Sequence, residues 1–165
     1  MIKLTGIHGE KFQLGIVNYQ FPEIEDGYDA NWLVAEVEVS NELGNWKKQD
    51  PCILTWELQW LSKWLNNLEL AKSNEFTVME MEICITYISK VQNLYCFAIV
   101  LGPLLSHDFE NREKAIVVVR LTEEQLAQSI VAIDEFSRKF PPRGLKGKQF
   151  IEREASGPQF FVDSE

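Results

Sequence analysis

The fold of this chain is decided by the stretch Leu54-Thr-Trp-Glu-Leu-Gln-Trp-Leu-Ser-Lys-Trp-Leu-Asn-Asn-Leu68. Its leucines recur at steps of three and four residues, the spacing that places side chains on one helix face. Its tryptophans recur every fourth residue and form a second stripe, about a quarter-turn away at roughly 100° per residue. The leucines are Leu54, Leu58, Leu61, Leu65 and Leu68, and the tryptophans are Trp56, Trp60 and Trp64. Such a helix is buried from two sides or offers one side to a partner, so the tryptophans are core residues or a candidate aromatic surface.

A second amphipathic helix follows a capping box, Thr122-Glu-Glu-Gln125, and is stopped by Pro141. Each helix is preceded by short segments that alternate apolar and polar residues, such as Trp32–Val39 and Ala115–Leu121. The connections between these segments are of hairpin length, whereas parallel neighbours would need crossover helices. The sequence therefore predicts an α+β fold with a mainly antiparallel β-sheet and two amphipathic helices at about 54–70 and 122–140.

Local signals add expectations about single elements. Asp50-Pro51 should end a strand before the first helix, because proline cannot donate to a ladder. Thr55 should then cap that helix through its hydroxyl. The alternation over Val78–Ile88 predicts one continuous strand. Leu94–Leu101 is apolar on both faces, which predicts a strand that is central in its sheet or covered on both sides.

The length of 165 residues fits one domain. Residues 1–143 are predicted to form this single α+β domain. Residues 144–165 contain three glycines and a proline with little hydrophobic periodicity, and they are interpreted as a C-terminal extension.

The formal net charge of -9 argues against nucleic acid and against an anionic membrane surface as partners. It is compatible with a basic protein partner, and equally with a role in solubility alone. The N-terminus lacks the apolar run of a signal peptide, and no stretch approaches the 18 to 20 apolar residues of a membrane span. The three cysteines are widely spaced and odd in number, which favours reduced thiols and a cytoplasmic location.

No motif of a known catalytic mechanism is present, and with two histidines a metal site would have to depend on carboxylates. No catalytic, cofactor-binding or metal-binding residue is therefore predicted. An enzyme remains one alternative, because Cys52 precedes the predicted helix start, where the helix dipole lowers a thiol pKa. In that case His8 or His107 would have to approach the thiol. The other interpretation of Cys52 is a small apolar side chain that fills space.

Acidic residues are concentrated between Phe21 and Asn45, where no Lys or Arg occurs. Four glutamates on predicted strands would form one acidic, solvent-facing surface if those strands share a sheet. The candidate partner-binding residues are Glu23, Glu25, Asp26, Asp29, Glu36, Glu38, Glu80 and Glu82. The alternatives are a solvated face without a partner, or pairing with the basic segment 138–148 of the same chain or of a neighbour in a homo-oligomer.

Four short patterns carry a resemblance to a bacterial family. They are Tyr19-Gln-Phe-Pro22, Asp29-Ala-Asn-Trp-Leu33, Asp50-Pro-Cys-Ile-Leu-Thr-Trp-Glu57 and Phe140-Pro-Pro-Arg143. Over residues 1–143 the chain resembles the WapI-type immunity proteins, small cytosolic proteins that protect against wall-associated, contact-dependent toxins. The resemblance implies a cognate toxin as partner, and it implies no catalytic residues.

Resemblance and acidity together predict a non-enzymatic acidic binding protein, an immunity protein that neutralises a nuclease-type toxin domain. A nuclease presents a basic surface, which an acidic patch can steer towards and bind. The alternative is an orphan hydrolase or a small-ligand-binding protein with a pocket beside the tryptophan-rich helix. A deep pocket that joins Cys52 to a histidine would favour this alternative.

Overall fold

A computed structural model describes residues 1–5, 9–108, 110–111 and 113–144. Within these ranges the chain forms two antiparallel sheets and two α-helices, which confirms the predicted α+β class. The first sheet contains β1 (Ile2–Thr5), β2 (Lys11–Tyr19), β3 (Trp32–Asn41) and β4 (Gly44–Leu54), and α1 (Thr55–Asn66) follows it. The second contains β5 (Glu75–Thr77), β6 (Ile83–Val91), β7 (Leu94–Leu101) and β8 (Ala115–Leu121), and α2 (Glu123–Lys139) follows it. His8 and residues 145–165 lie outside the described residues.

Strand order follows sequence order in both sheets, so the described residues form two successive units of four strands and a helix. The strands β1 and β8 lie against each other, and α1 packs on α2. The hydrophobic core lies between the inner faces of the sheets and the two helices. All five leucines of the first predicted helix stripe are buried in it, as the spacing predicts. In the described part of the chain, neither helix is long and apolar enough to cross a membrane.

The strand break predicted at Asp50-Pro51 is wrong, because β4 continues through both residues to Leu54. β4 is the edge strand of the first sheet, where a proline without an N–H is tolerated. The pairing also shifts here, since Ala35 is opposite Asp50 while Leu33 is opposite Ile53. Two residues of β4 therefore correspond to one of β3, and this bulge absorbs the proline.

The continuous strand predicted over Val78–Ile88 is also wrong. β5 ends at Thr77, and β6 begins at Ile83, with a turn between them. The turn is closed by the Val78 N–H, which donates to the Ile83 carbonyl at 3.1 Å. Met81 in this turn has a φ of 57°, a conformation that is uncommon for residues other than glycine. The 78–82 turn carries Glu80 and Glu82, two of the predicted partner-binding residues.

Both helix starts are fixed by side chains, but the first differs from the prediction. Thr55 is not the N-cap of α1, since Leu54 occupies that position and the Glu57 carboxylate accepts the Leu54 N–H at 2.8 Å. For α2 the predicted capping box is confirmed, because Thr122 and Gln125 each accept the other's backbone N–H.

The first helix ends at Asn66, four residues before the predicted end. The side-chain amides of Asn66 and Asn67 donate to the carbonyls of Ser62 and Lys63. Such local bonds compete with continuation of the helix, which the leucine spacing alone does not reveal.

Candidate partner-binding surface

The loop of residues 20–31 carries four of the eight predicted partner-binding acids, and it is held by contacts with the segment after α2. The Arg143 guanidinium stacks on the Tyr19 ring, with 3.4 Å between the guanidinium carbon and the ring centroid. Its Nη1 also donates to three loop carbonyls, those of Phe21 at 3.3 Å, Pro22 at 3.1 Å and Ile24 at 2.9 Å. The Tyr19 hydroxyl donates to the Pro141 carbonyl at 2.6 Å. The loop backbone is thereby fixed at one end of the first sheet.

Asn31 is the central polar residue of this arrangement, and it is fully buried. Its Oδ1 accepts from the Thr55 hydroxyl at 2.9 Å and from the Arg143 N–H at 2.8 Å. Its Nδ2 donates to the carbonyls of Gly27 at 2.9 Å and Arg143 at 3.2 Å. All four hydrogen-bonding positions of the amide are used, so its burial carries no unsatisfied group. The four sequence patterns that carry the family resemblance therefore meet at this loop.

The loop acids face outward, and a further glutamate joins them from the second sheet. Glu23, Glu25, Asp26 and Asp29 are all exposed. The Tyr28 hydroxyl donates to the Met79 sulfur, which brings the 78–82 turn and its exposed Glu80 to the loop. We call Glu23, Glu25, Asp26, Asp29 and Glu80 the acidic end. In the part of the chain that the structure describes, none of these five carboxylates forms an ion pair.

The carboxylates around the acidic end add to the effect of burial on the pKa of Tyr28. Burial raises the pKa of this tyrosine to about 12, and the carboxylates of Glu57, Glu80 and Asp29 contribute in the same direction. A deprotonated phenol would add charge beside three acids, which disfavours its ionisation.

Glu36 and Glu38 do not belong to the acidic end. They lie on the outer face of the first sheet, where a row across the four strands reads Lys3, Gln13, Glu38 and Lys47. Glu36 forms an ion pair with Lys47 at 2.7 Å, and hydrogen bonds from Lys47 and Gln49 lower the pKa of its carboxyl. This face is of mixed charge. The prediction that Glu36, Glu38, Glu80 and Glu82 share one acidic sheet face is wrong, since the last two lie outside the strands.

Glu82 is buried and has a structural contact. Its Oε2 accepts the Leu104 N–H at 3.0 Å, and its carbonyl accepts the Gly102 N–H at 2.8 Å. A Cβ at position 102 would lie 2.9 Å from the Glu82 Cα, so a larger residue there would force the backbone to shift. Glu82 therefore joins the 78–82 turn to the segment after β7 and is covered in this structure.

The tryptophan stripe lies in the core and at its edge. Trp56 is fully buried and contacts the Tyr28 ring edge-on, with centroids 5.5 Å apart. Trp60 and Trp64 are half-buried against the core, and the Trp64 Nε1 donates to the Ser73 carbonyl at 3.0 Å. Trp56 thus supports the acidic end from within and is not part of an exposed aromatic surface.

Cys52 does not have the surroundings of an activated thiol. It lies within β4 and is fully buried. Burial raises the pKa of its thiol, and the carboxylates of Asp50, Glu82 and Glu57 raise it further. A nucleophilic thiolate needs the opposite, a positive and accessible environment. His107 packs on the Trp46 ring, with centroids 5.4 Å apart.

The geometry beside α1 does not favour a ligand pocket. The void between the sheets and helices measures about 40 Å³ and is lined by apolar side chains such as Leu61, Leu65 and Phe97. Ligand pockets are commonly about 300–1,000 Å³. Across the described ranges, no group of three or more His, Cys, Asp or Glu side chains is arranged to hold a metal ion.

Glu57 is a buried carboxyl that connects the two units. Its Oε2 accepts the Leu54 N–H at 2.8 Å, and its Oε1 accepts the Met79 N–H at 2.7 Å. Burial raises the pKa of this carboxyl to about 7, although the two backbone N–H groups act in the opposite direction. Glu57 thus anchors the 78–82 turn to the start of α1.

This raised pKa predicts a pH-dependent stability. The unfolded chain releases the Glu57 proton near the ordinary pKa of 4.5, before the folded protein does. The free energy of unfolding is therefore highest below pH 4.5 for this group, and it falls by about 3 kcal/mol as pH rises to 7. Urea unfolding between pH 4.5 and 8 should show this slope in the wild type and lose it in Glu57→Gln. The exposed Glu124→Gln is the control that should keep it, and an unchanged slope in Glu57→Gln would contradict the assignment.

The structural features define a class of protein, a small α+β domain with a rigidly held acidic loop at one end. The family comparison then identifies it, because residues 3–141 match the model of the Immunity protein WapI-like family. The chain belongs to this family. No curated protein and no solved structure gave a significant match to the chain.

The residues that organise the acidic end could not be predicted from residue type. As part of the basic segment 138–148, Arg143 is expected to pair with acidic side chains, whereas its guanidinium contacts carbonyl groups and an aromatic ring. Asn31 carries no charge and follows no periodic pattern that would distinguish it. Both residues lie in patterns that carry the family resemblance, which is the one signal that pointed to them.

Proposed function

We propose that this protein neutralises a cognate toxin by binding it through the acidic end, and that the toxin is of the nuclease type. Membership of an immunity protein family supports a protective role in general. The observation that carries the finer proposal is the concentration of five exposed carboxylates at one end, none of them ion-paired among the described residues.

A nuclease binds a polyanion, so the surface around its active site is basic. Unpaired carboxylates on a fixed loop attract such a surface and raise the rate of association. The attraction is screened over about 10 Å at 0.1 M salt, so it acts mainly at low ionic strength. A bound acidic end would occupy the space that the nucleic acid needs.

The test uses the toxin domain encoded by the gene next to that of this protein. Co-expression should protect cells, and the two proteins should co-purify. In stopped-flow measurements, Glu23→Gln combined with Glu25→Gln should slow association roughly three- to tenfold at low salt and weaken its salt dependence. Glu36→Gln combined with Glu38→Gln is the matched control, since it removes two charges at the same spacing from the face of mixed charge.

Two results would overturn the proposal. One is the absence of both protection and co-purification with the wild type. The other is equal slowing by the two double variants, which would place the partner on the outer face of the first sheet or make the effect one of total charge.

A further inference from the structure

The outer face of the second sheet carries exposed apolar side chains, although the hydrophobic core lies on the other face of this sheet. On the second sheet, one row across the strands reads Thr77, Cys84, Val100 and Ile116. The next row reads Glu75, Thr86, Ala98 and Val118. Ile116 is 59% exposed and Val118 is 43% exposed. An antiparallel sheet with one face on the core normally has a polar outer face, as the first sheet has.

This apolar face contains an open depression of about 460 Å³. Met81, Cys84 and Val100 form its apolar part, and the remaining lining residues are polar or charged, namely Ser73, Glu75, Thr77 and Lys114. We call this feature the sheet depression. β7 is an interior strand of its sheet, as its sequence predicts, and on this face Ala98 and Val100 are half-buried while Cys96 is buried.

The sheet depression is continuous with the acidic end through the 78–82 turn. The Met79 sulfur accepts a hydrogen bond from the Tyr28 hydroxyl, which lies in the loop of residues 20–31. Met81, two residues later, is 73% exposed and lines the depression. Glu80 lies between them and belongs to the acidic end. A molecule that covers the acidic end and this turn would therefore also meet Met81, which lines the depression.

Size and charge decide which occupant fits. Four strands span about 19 Å, and two rows of side chains cover roughly 7 Å along them, so this part of the face covers roughly 130 Å². A stable interface buries about 800 Å² on each partner, which this patch alone cannot supply to a second copy. Two copies would also repel each other, since each carries a formal net charge of -9. A basic partner that covers both features gains an apolar centre and a charged rim, as protein interfaces have.

We propose that the sheet depression receives an apolar side chain of the same toxin domain that the acidic end attracts. This inference rests on the proposed function. It adds a second contact surface, which keeps the dissociation rate of the complex low. Rim charges mainly set the association rate, whereas a desolvated apolar contact mainly sets the dissociation rate.

The test combines Val100→Thr with Ile116→Thr, which keeps β-branched side chains on exposed or half-buried strand positions. With the neighbouring toxin domain as probe, the dissociation rate should rise at least tenfold while the association rate stays within about twofold. Val17→Thr, at a strand residue that is 46% exposed on the first sheet, is the matched control and should change neither rate. Urea unfolding of each variant verifies that the fold is retained.

Three outcomes would overturn the inference. If the wild type binds the toxin domain and the double variant has the same dissociation rate, the sheet depression is not in the interface, and the proposed function stands. If the wild type does not bind at all, both proposals fail. If sedimentation shows a wild-type dimer that the double variant lacks, the depression is occupied by a second copy instead.

Discussion

Asn31→Ala is expected to lower the free energy of unfolding by about 3–5 kcal/mol. The substitution removes all four hydrogen bonds of a fully buried amide. The Thr55 hydroxyl would remain buried without this partner, and the Arg143 N–H would lose it in a partly buried position. Each such group costs about 1–3 kcal/mol, and partial relaxation keeps the total below the simple sum.

Urea denaturation at neutral pH measures this loss. Asn45→Ala is the control, because Asn45 is exposed at the start of β4 and should change stability by less than about 0.5 kcal/mol. A loss below about 1 kcal/mol for Asn31→Ala would mean that water replaces the amide and that the acidic loop does not depend on it.

Leu61→Ala is the second large expected effect, a loss of about 2–5 kcal/mol. Leu61 is 5% exposed and packs where the sheets and helices meet. It also lines the existing void of about 40 Å³, so the space left by its side chain would join that void instead of being filled. The cost of such substitutions rises with the volume of the residual cavity.

The matched control for Leu61→Ala is Leu70→Ala, at a leucine that is 85% exposed just after α1. Both variants lose the same atoms, and only the first loses them from the core. The urea midpoint should shift for Leu61→Ala with an unchanged slope, and it should not move for Leu70→Ala. Equal effects of the two substitutions would contradict the burial of the leucine stripe.

The sequence predicted those parts of the fold whose burial repeats with a regular period. The leucines of α1 and the alternation of β8 each report one buried face, and the structure confirms both. The position of β4 at a sheet edge is a property of the whole sheet, so the tolerance of Pro51 could not be predicted locally. Apolar and polar residues alternate over Val78–Ile88 without interruption, including the residues of the 78–82 turn. The sequence pattern therefore did not indicate the break between β5 and β6.

For the candidate site, the sequence showed where acidic residues are concentrated. It did not show which of their carboxylates lie beside lysines in the folded protein. Glu36 and Glu23 lie in the same lysine-free stretch of sequence. The lysines that share the outer sheet face with Glu36 come from β1, β2 and β4, and strand pairing alone brings them near. The family patterns are likewise distant in sequence, and their meeting around Asn31 depends on tertiary structure.

The contact between Arg143 and the acidic loop also sets an order of events on the ribosome. The three loop carbonyls precede Arg143 by 119 to 122 residues, so these bonds cannot form until Arg143 has been translated. The sheets can assemble earlier, because strands that are consecutive in sequence are neighbours in space. A nascent chain therefore has its scaffold before its acidic loop is held in place, and a chain released before Arg143 would lack the residue that holds it.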